Sequence, residues 1–244
     1  MATLRETLTR IKPSVAQIVF VLDNKVYPAG SGFIISADGY IATCSHVLHP
    51  EDIPQQAKLA VRFHTLADPQ WASVIIDNVD TDIALLKVQR DDLVPMELGS
   101  YSDVEEGDDV AFCGYPLDIR VPTTHRGIVS AKGSYMRRDP ESNAYLELLQ
   151  IDASVNRGNS GGPLFLPHSG RVAGVVSSMI VASISGQPIK GMPWVEIRFG
   201  GRDYGKEIDD LRKEVKEALN SLQLGIGYAI SVDYLKEDLR QLGR

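Results

Sequence analysis

The run Gly158-Asn159-Ser160-Gly161-Gly162-Pro163 is the stretch of this chain best suited to chemistry. A serine between glycines can expose its hydroxyl on a tight turn, with nearby backbone N–H groups available to a developing oxyanion. A serine hydroxyl is a poor nucleophile near neutral pH, so a base must take its proton. His46 ends the run Gly32-Phe-Ile-Ile-Ser-Ala-Asp-Gly-Tyr-Ile-Ala-Thr-Cys-Ser-His46, and Asp82 stands at the mouth of the apolar stretch 83–88. An imidazole can serve as that base. A carboxylate on its other ring nitrogen then fixes the tautomer and stabilises the charged form. Together these residue types suit nucleophilic acyl transfer.

Chain order decides between two versions of that chemistry. The glycine–serine run also satisfies the G-x-S-x-G elbow of α/β-hydrolases, which joins a strand to a helix and has its histidine downstream. Gly161-Gly162-Pro163 would spoil an immediate helix, and the only later histidine is His168, in a Pro-His-Ser-Gly turn. Both requirements fail. His, then Asp, then Ser is the order of chymotrypsin-like peptidases. Asp80 competes with Asp82 for the orienting role, because two residues apart on a strand both side chains face the same way. His46 and His49, with His64 further on, form no set with a carboxylate at metal-ligand spacing, so no metal and no other cofactor is expected. Cys44, two residues before His46, is expected to pack in the core.

The elements that must position these residues are mostly strands. Stretches 17–22, 32–36, 60–64, 73–76 and 83–88 are short, β-branched or alternating, and bounded by turn residues. A second series follows at 109–114, 127–131, 145–151, 163–165, 171–180 and 225–231. Two sets of about six short strands predict two small barrels or sandwiches rather than a parallel sheet. The acidic, turn-rich stretch 91–107 is the expected connector. A short N-terminal helix carrying Leu4, Leu8 and Ile11 should stop before Pro13. Apolar residues at 208, 211, 215, 219 and 222 predict an amphipathic helix over 205–222. A last helix carries Val232, Leu235, Leu239 and Leu242, with Ser231 as N-cap.

Composition sets the outer limits. The chain has 244 residues, 43% hydrophobic, 23% charged and 7% aromatic, which excludes disorder, collagen-like repeats and a coiled coil. A net charge of -7 with no long basic run argues against nucleic acid or an anionic membrane as the main partner. The most apolar region, 172–184, contains three serines and is about 13 residues long, short of the ~20 a spanning helix needs, so no membrane span is expected. Residues 1–14 are polar and charged, unlike a signal peptide. The two cysteines, Cys44 and Cys113, read as free thiols in a reducing compartment, and the expected location is the cytoplasm.

Six blocks then carry a family resemblance. GSGFIISADGYIATCSHV, TDIALLKV, GIVSAKG, IDASVNRGNSGGPLF, GRVAGVVSS and GYAISVDYLKEDL occur in this order over about residues 13–240. In them the chain resembles the protease domain of the HtrA (Deg) serine proteases, a branch of the chymotrypsin-like fold. The resemblance implies an all-β protein of two six-stranded antiparallel β-barrels with short terminal helices and a helical insertion. Within a single protease domain over 1–244, the first barrel would occupy 14–90 and the second 108–244. The site would lie between them. His46 would be the base, Asp82 its orienter and Ser160 the nucleophile, with the oxyanion hole from the backbone N–H groups of Gly158 and Ser160. Ser177 matches a position that often donates a hydrogen bond to the triad aspartate.

By the same alignment, Ser154, Val155 and Asn156 would form one wall of the primary specificity pocket and Ser177, Ser178 and Met179 the other. Ser154 lies six residues before the nucleophile, where a trypsin-like enzyme would carry an aspartate. No carboxylate is present in 153–157 or 176–181. A buried Lys or Arg of the substrate would stay unpaired, which favours small or medium aliphatic residues. Arg157, next to Gly158, is expected to face solvent. Asn159 stands where secreted digestive relatives have an aspartate that pairs with a newly cut N-terminus.

Two departures accompany the resemblance. HtrA proteases usually carry PDZ domains after the protease domain, whereas this sequence stops at Arg244; residues 185–224 replace a short loop. The expected partners are unfolded or damaged polypeptides, and a homo-oligomer, with a trimer favoured by the resemblance. The alternative is a catalytically silent or tightly latent binding module, a holdase or scaffold that keeps the fold.

Overall fold

The apolar segment β1 (Val15–Leu22) pairs on both sides and so begins a closed sheet. It turns into β2 (Lys25–Ile34) through Asp23 and Asn24, both in the left-handed region with φ 48° and 64°. That is the backbone of a two-residue hairpin, and Asp and Asn tolerate it. With β3 (Tyr40–Thr43), β4 (Lys58–Phe63), β5 (Gln70–Asn78) and β6 (Ile83–Val88), the order is β1-β2-β3-β6-β5-β4, closed by the antiparallel β1–β4 ladder. Closure leaves no sheet edge exposed. The computed structural model describes residues 2–63, 66, 68–116, 119–136, 145–177, 198–199, 202–203 and 225–243.

The second barrel repeats the plan. Its strands are β7 (Asp109–Gly114), β8 (Thr123–Met136), β9 (Tyr145–Ile151), β10 (Pro163–Phe165), β11 (Val172–Ser177) and, after the two-residue pair β12 (Arg198–Phe199) and β13 (Arg202–Asp203), β14 (Gly227–Ser231). The order β10-β11-β14-β9-β8-β7 closes where Leu164 faces Phe112. The expected two six-stranded antiparallel barrels are therefore present.

Two apolar clusters hold this together. One fills the second barrel, with Phe112, Val129, Leu149, Ile151 and Val176 among its members. The other runs from the first barrel (Ile18, Phe33, Ile41, Leu85) across to Cys113, Tyr115, Phe165 and Val175 of the second. The connector reinforces the join: Met96 N–H donates to the Ile34 carbonyl, and Gly99 N–H to Val172.

Helices occupy the ends of the described chain. α1 (Leu4–Ile11) starts with a Thr3–Glu6 capping box, buries Ile11 and gives way to a 3-10 turn containing Pro13. α2 (Val232–Gln241) is capped by Ser231, whose side chain accepts from Asp233 N–H, and it buries Val232 and Leu235. The helix expected over 205–222, and most of the 185–224 insertion, lie outside the described residues.

The strand boundaries that differ most from the sequence expectation are those of β2 and β8. β2 begins at Lys25 rather than at 32, because Pro28 and Gly30 are accommodated at a register shift opposite Ile18 and Val19. The run from Gly32 to His46 reads in sequence as strand, turn and strand, and β3 is that second strand, completing the first barrel and leading directly to His46. β8 is 14 residues long rather than five, with a second register shift between Val129 and Ala131.

Candidate active site

β3 pairs with β6, Thr43 opposite Ala84, so the residues just beyond this ladder meet. On one side the chain enters a 3-10 turn, Ser45–Leu48, that carries His46. On the other lies Asp82, in the turn before β6 and in the left-handed region at φ 55°. Ser45 N–H donates to the Asp82 carbonyl at 3.1 Å, and His46 N–H to Asp82 Oδ1 at 3.0 Å. His46 Nδ1 lies 2.9 Å from both Asp82 oxygens. A third donor arrives from the other barrel: the Ser177 hydroxyl donates to Asp82 Oδ2 at 3.0 Å. An ionised carboxylate accepts only, so Nδ1 must carry the proton and Nε2 is left as the basic nitrogen. The side chains are 19% and 15% exposed, which strengthens the pairing relative to water.

Asp80 and Asp82 are not on a strand; both belong to the turn that precedes β6, and Asp80 is exposed. The backbone twist at Asp82 is what separates two residues that strand periodicity could not. His49 is turned elsewhere, with Nε2 2.7 Å from Asp77, whose other oxygen accepts from the Ser45 hydroxyl at 2.5 Å. Sequence reading missed Asp77 and Ser45, since nothing in their spacing links them. His64 lies outside the described residues.

Cys44, His46 and Asp82 place ligand-type atoms within 4.8 Å of one another. Burial, and then the charge of Asp82, push the Cys44 thiol well above its ordinary value. In this setting the Cys44 group is a protonated thiol, and the His46 and Asp82 atoms are engaged with each other. The Cys44 thiol donates to the Val176 carbonyl at 3.3 Å.

Ser160 sits in the turn between β9 and β10. Asn159 N–H donates to Asn156 at 3.0 Å, Gly162 N–H to Asn159 at 3.0 Å, and Gly161 N–H to Val176 of β11 at 2.8 Å. Gly158 and Gly161 have φ 95° and 85°. A methyl group at Gly161 would lie 2.1 Å from the Ser31 carbonyl oxygen and 2.3 Å from Thr43 Oγ1, so only glycine fits. The first barrel also holds the turn directly, since Ser31 N–H donates to the Ser160 carbonyl at 2.8 Å. Ser160 is itself buried. Its turn is thereby clamped between β2 and β3 on one side and β11 on the other, against Cys44 and the approach to His46.

Ser154, Val155 and Asn156 are half-buried on the chain leading into that turn. Val155 packs against the second-barrel core. Gly227 of β14 faces it so closely that a methyl group there would lie 2.4 Å from Val155 Cγ2, a contact that sequence reading did not find. Ser177 is buried with its hydroxyl committed to Asp82. Ser178 and Met179 lie outside the described residues. Arg157 faces outward and pairs with Asp52 at 2.7 Å, both exposed. Asn159 is fully buried, and among the described residues neither atom of its side-chain amide has a hydrogen-bond partner.

A paired histidine and aspartate at the rim of one closed barrel, beside a glycine-framed serine from a second, belong to the chymotrypsin-like class. The trypsin-like peptidase domain matches residues 30–175. The chain belongs to the trypsin-like peptidase family. It is 40% identical over 154 residues to a probable periplasmic serine endoprotease, DegP-like, of Hahella chejuensis, and 38% identical over 154 residues to one of Pseudomonas fulva. Each alignment covers 63% of this chain and only 30% of the relative's length. Among solved structures, HtrA-type protease AlgW with a tripeptide covers 99% of this chain and 64% of its own, at 24% identity and a TM-score of 0.66. The same protease with a decapeptide gives 22% identity and 0.67, covering 98% and 67%. At these identities the likeness establishes the fold.

The cytoplasmic expectation is corrected by these relatives, which are named periplasmic. It rested on thiol count and on a polar start. Cys44 and Cys113 are free and buried, each hydrogen-bonded to its own neighbour. Thiols sequestered in this way do not report the redox state of a compartment.

Proposed function

We propose that this chain is a serine endopeptidase domain that cleaves polypeptides through an acyl-enzyme. Ser160 Oγ attacks the scissile carbonyl while His46 Nε2 takes its proton. The N–H groups of Gly158 and Ser160 receive the oxyanion. Collapse of the tetrahedral adduct breaks the C–N bond, and the imidazolium returns its proton to the leaving amine. Water then repeats the sequence on the acyl ester, again with His46 as base. Asp82 stays ionised throughout, holding the imidazole and offsetting its charge. The observation that carries this reading is the Asp82 carboxylate, bound by His46 Nδ1 at 2.9 Å and braced from the other barrel by Ser177.

The substrates proposed are unfolded or damaged proteins, cut after small or medium aliphatic residues at a pocket bordered by Ser154–Asn156, in quality control in the periplasm. The assembly proposed is a homotrimer. A solution mass equal to one chain at all concentrations rejects it.

Fluorophosphonate labelling tests the chemistry. A mass shift on the intact protein, absent in Ser160→Ala, is expected. No labelling, even with denatured substrate present, would instead favour a silent protease-fold binding module.

A further inference from the structure

Ser31 belongs to β2, on the first barrel, and is fully buried. All of its hydrogen-bonding groups are used, and most of them reach the serine turn of the second barrel. Its N–H donates to the Ser160 carbonyl at 2.8 Å, and its hydroxyl lies 2.6 Å from the Gly158 carbonyl. Tyr115 N–H donates to the same hydroxyl at 2.8 Å, and the Thr43 hydroxyl donates to the Ser31 carbonyl at 2.7 Å.

The direction of the hydroxyl proton follows from its neighbours. Tyr115 N–H can only donate and the Gly158 carbonyl can only accept. Ser31 Oγ therefore accepts from the first and donates to the second, a polarised chain whose links strengthen one another. The peptide between Gly158 and Asn159 is then held at both ends, its carbonyl by Ser31 and its N–H by the Asn156 carbonyl at 3.0 Å. Gly158, at φ 95°, is a residue that rotates readily unless its neighbours hold it. The Gly158 N–H sits on the preceding Arg157–Gly158 peptide, hinged to this one at the Gly158 Cα, so a shift of the anchored peptide would carry that N–H away from its partner at Ser160. Resting on the proposed Ser160 chemistry, we infer that Ser31 is a positioning residue for the oxyanion hole, using its hydroxyl to hold the Gly158 carbonyl, and through it the Gly158 Cα from which the N–H donor extends, where transition-state binding requires it.

Ser31 touches no reacting atom in this scheme, so the loss should appear in kcat and not in KM. Ser31→Ala should lower kcat with a peptide substrate by about 10- to 100-fold, less than the roughly 100- to 1000-fold for outright loss of an oxyanion-hole donor because the N–H itself remains, and leave KM within about twofold. The inhibition constant of a peptidyl trifluoromethyl ketone, whose hemiketal oxygen occupies the hole, should rise by the same factor as kcat/KM falls. Ser31→Cys, a weak donor of similar shape, should fall between wild type and Ser31→Ala, and it keeps the test open if the alanine variant does not fold. Thr3→Ala, which removes the distant α1 cap, should lower the melting temperature without changing kcat. Either a kcat for Ser31→Ala within threefold of wild type, or an unchanged inhibition constant, overturns the inference. Wild-type protein that neither labels nor hydrolyses would overturn the endopeptidase reading itself, a separate outcome.

Discussion

Replacing Asp82 by Asn removes the charge while keeping the shape, and the site leaves the amide one workable orientation. Oδ1 accepts from the His46 backbone N–H at 3.0 Å, a donor that cannot change its role. The amide oxygen must therefore take the Oδ1 place and its NH2 the Oδ2 place, 2.9 Å from His46 Nδ1 and 3.0 Å from Ser177 Oγ. The Ser177 hydroxyl can rotate and accept. His46 Nδ1 can accept only by moving its proton to Nε2, and Nε2–H cannot take the proton of Ser160. If Nδ1 keeps its proton it can still donate to the amide oxygen at the Oδ1 place, also 2.9 Å away, but the NH2 then faces it as a second donor and no negative charge offsets the imidazolium. The first form removes the base and the second weakens it. The expected fall in kcat/KM is about 10³- to 10⁴-fold, roughly 4–5.5 kcal/mol of transition-state stabilisation, the scale known for the same change in other triads.

The same change spares the fold. Asp82 is at φ 55°, a region Asn tolerates as well as Asp. Asp82→Asn should melt close to wild type, whereas Asp82→Ala adds about 1–2 kcal/mol of backbone strain. Steady-state hydrolysis of a fluorogenic peptide, with melting curves alongside, makes the measurement. Asp80→Asn, on the exposed part of the same turn, should stay within twofold of wild type. An Asp82→Asn enzyme within tenfold of wild type would refute the assignment of Asp82 as orienter.

Gly161→Ala should cost about 3 kcal/mol or more, from left-handed strain and from the 2.1 Å approach to Ser31, and lower the melting temperature by roughly 6–12 °C; calorimetry checks it. Asp238 in α2 is buried, with Oδ2 unpartnered among the described residues, and burial raises its carboxyl above the ordinary 3.8. A carboxyl raised on folding binds more protons folded than unfolded, so its contribution falls as pH rises from about 3.8 through the folded value. Asp238→Asn should therefore stabilise the protein at pH 7 by about 1 kcal/mol, with the gain vanishing in acid, as pH-dependent urea titration would show. Digestion of a denatured protein mixture should give new C-termini dominated by Val, Ala and Leu, and a pattern of Lys and Arg would reject the pocket assignment.

The parts of this molecule legible in sequence are those with a local signature. Short apolar runs bounded by turn residues marked β1, β6, β7 and β9, and Ser231 marked the start of α2, because each depends on neighbours a few positions away. The front of β2 escaped notice because Pro28 and Gly30 read as turn residues until a bulge absorbs them. The separation of Asp82 from Asp80 depends on one left-handed residue, which no periodicity encodes. Ser31 is the extreme case. As a small residue between two glycines it carries no pattern, and its partner Gly158 is 127 positions away.

What was least legible is also what joins the halves of the site. His46 and Asp82 belong to the first barrel, the serine turn to the second, and among the described residues the links between them are few. Ser177 reaches Asp82, and Ser31 reaches Gly158 and Ser160. Each such bond contributes only about 1 kcal/mol to stability, small beside the apolar cluster that spans both barrels. For catalysis the weighting reverses, because a shift of about 1 Å in the serine turn can cost about a hundredfold in rate. Loosening these polar links would therefore silence the site while both barrels stay folded. The activity of such a molecule can be set by the order of its turns, at a small fraction of the free energy that holds its strands together.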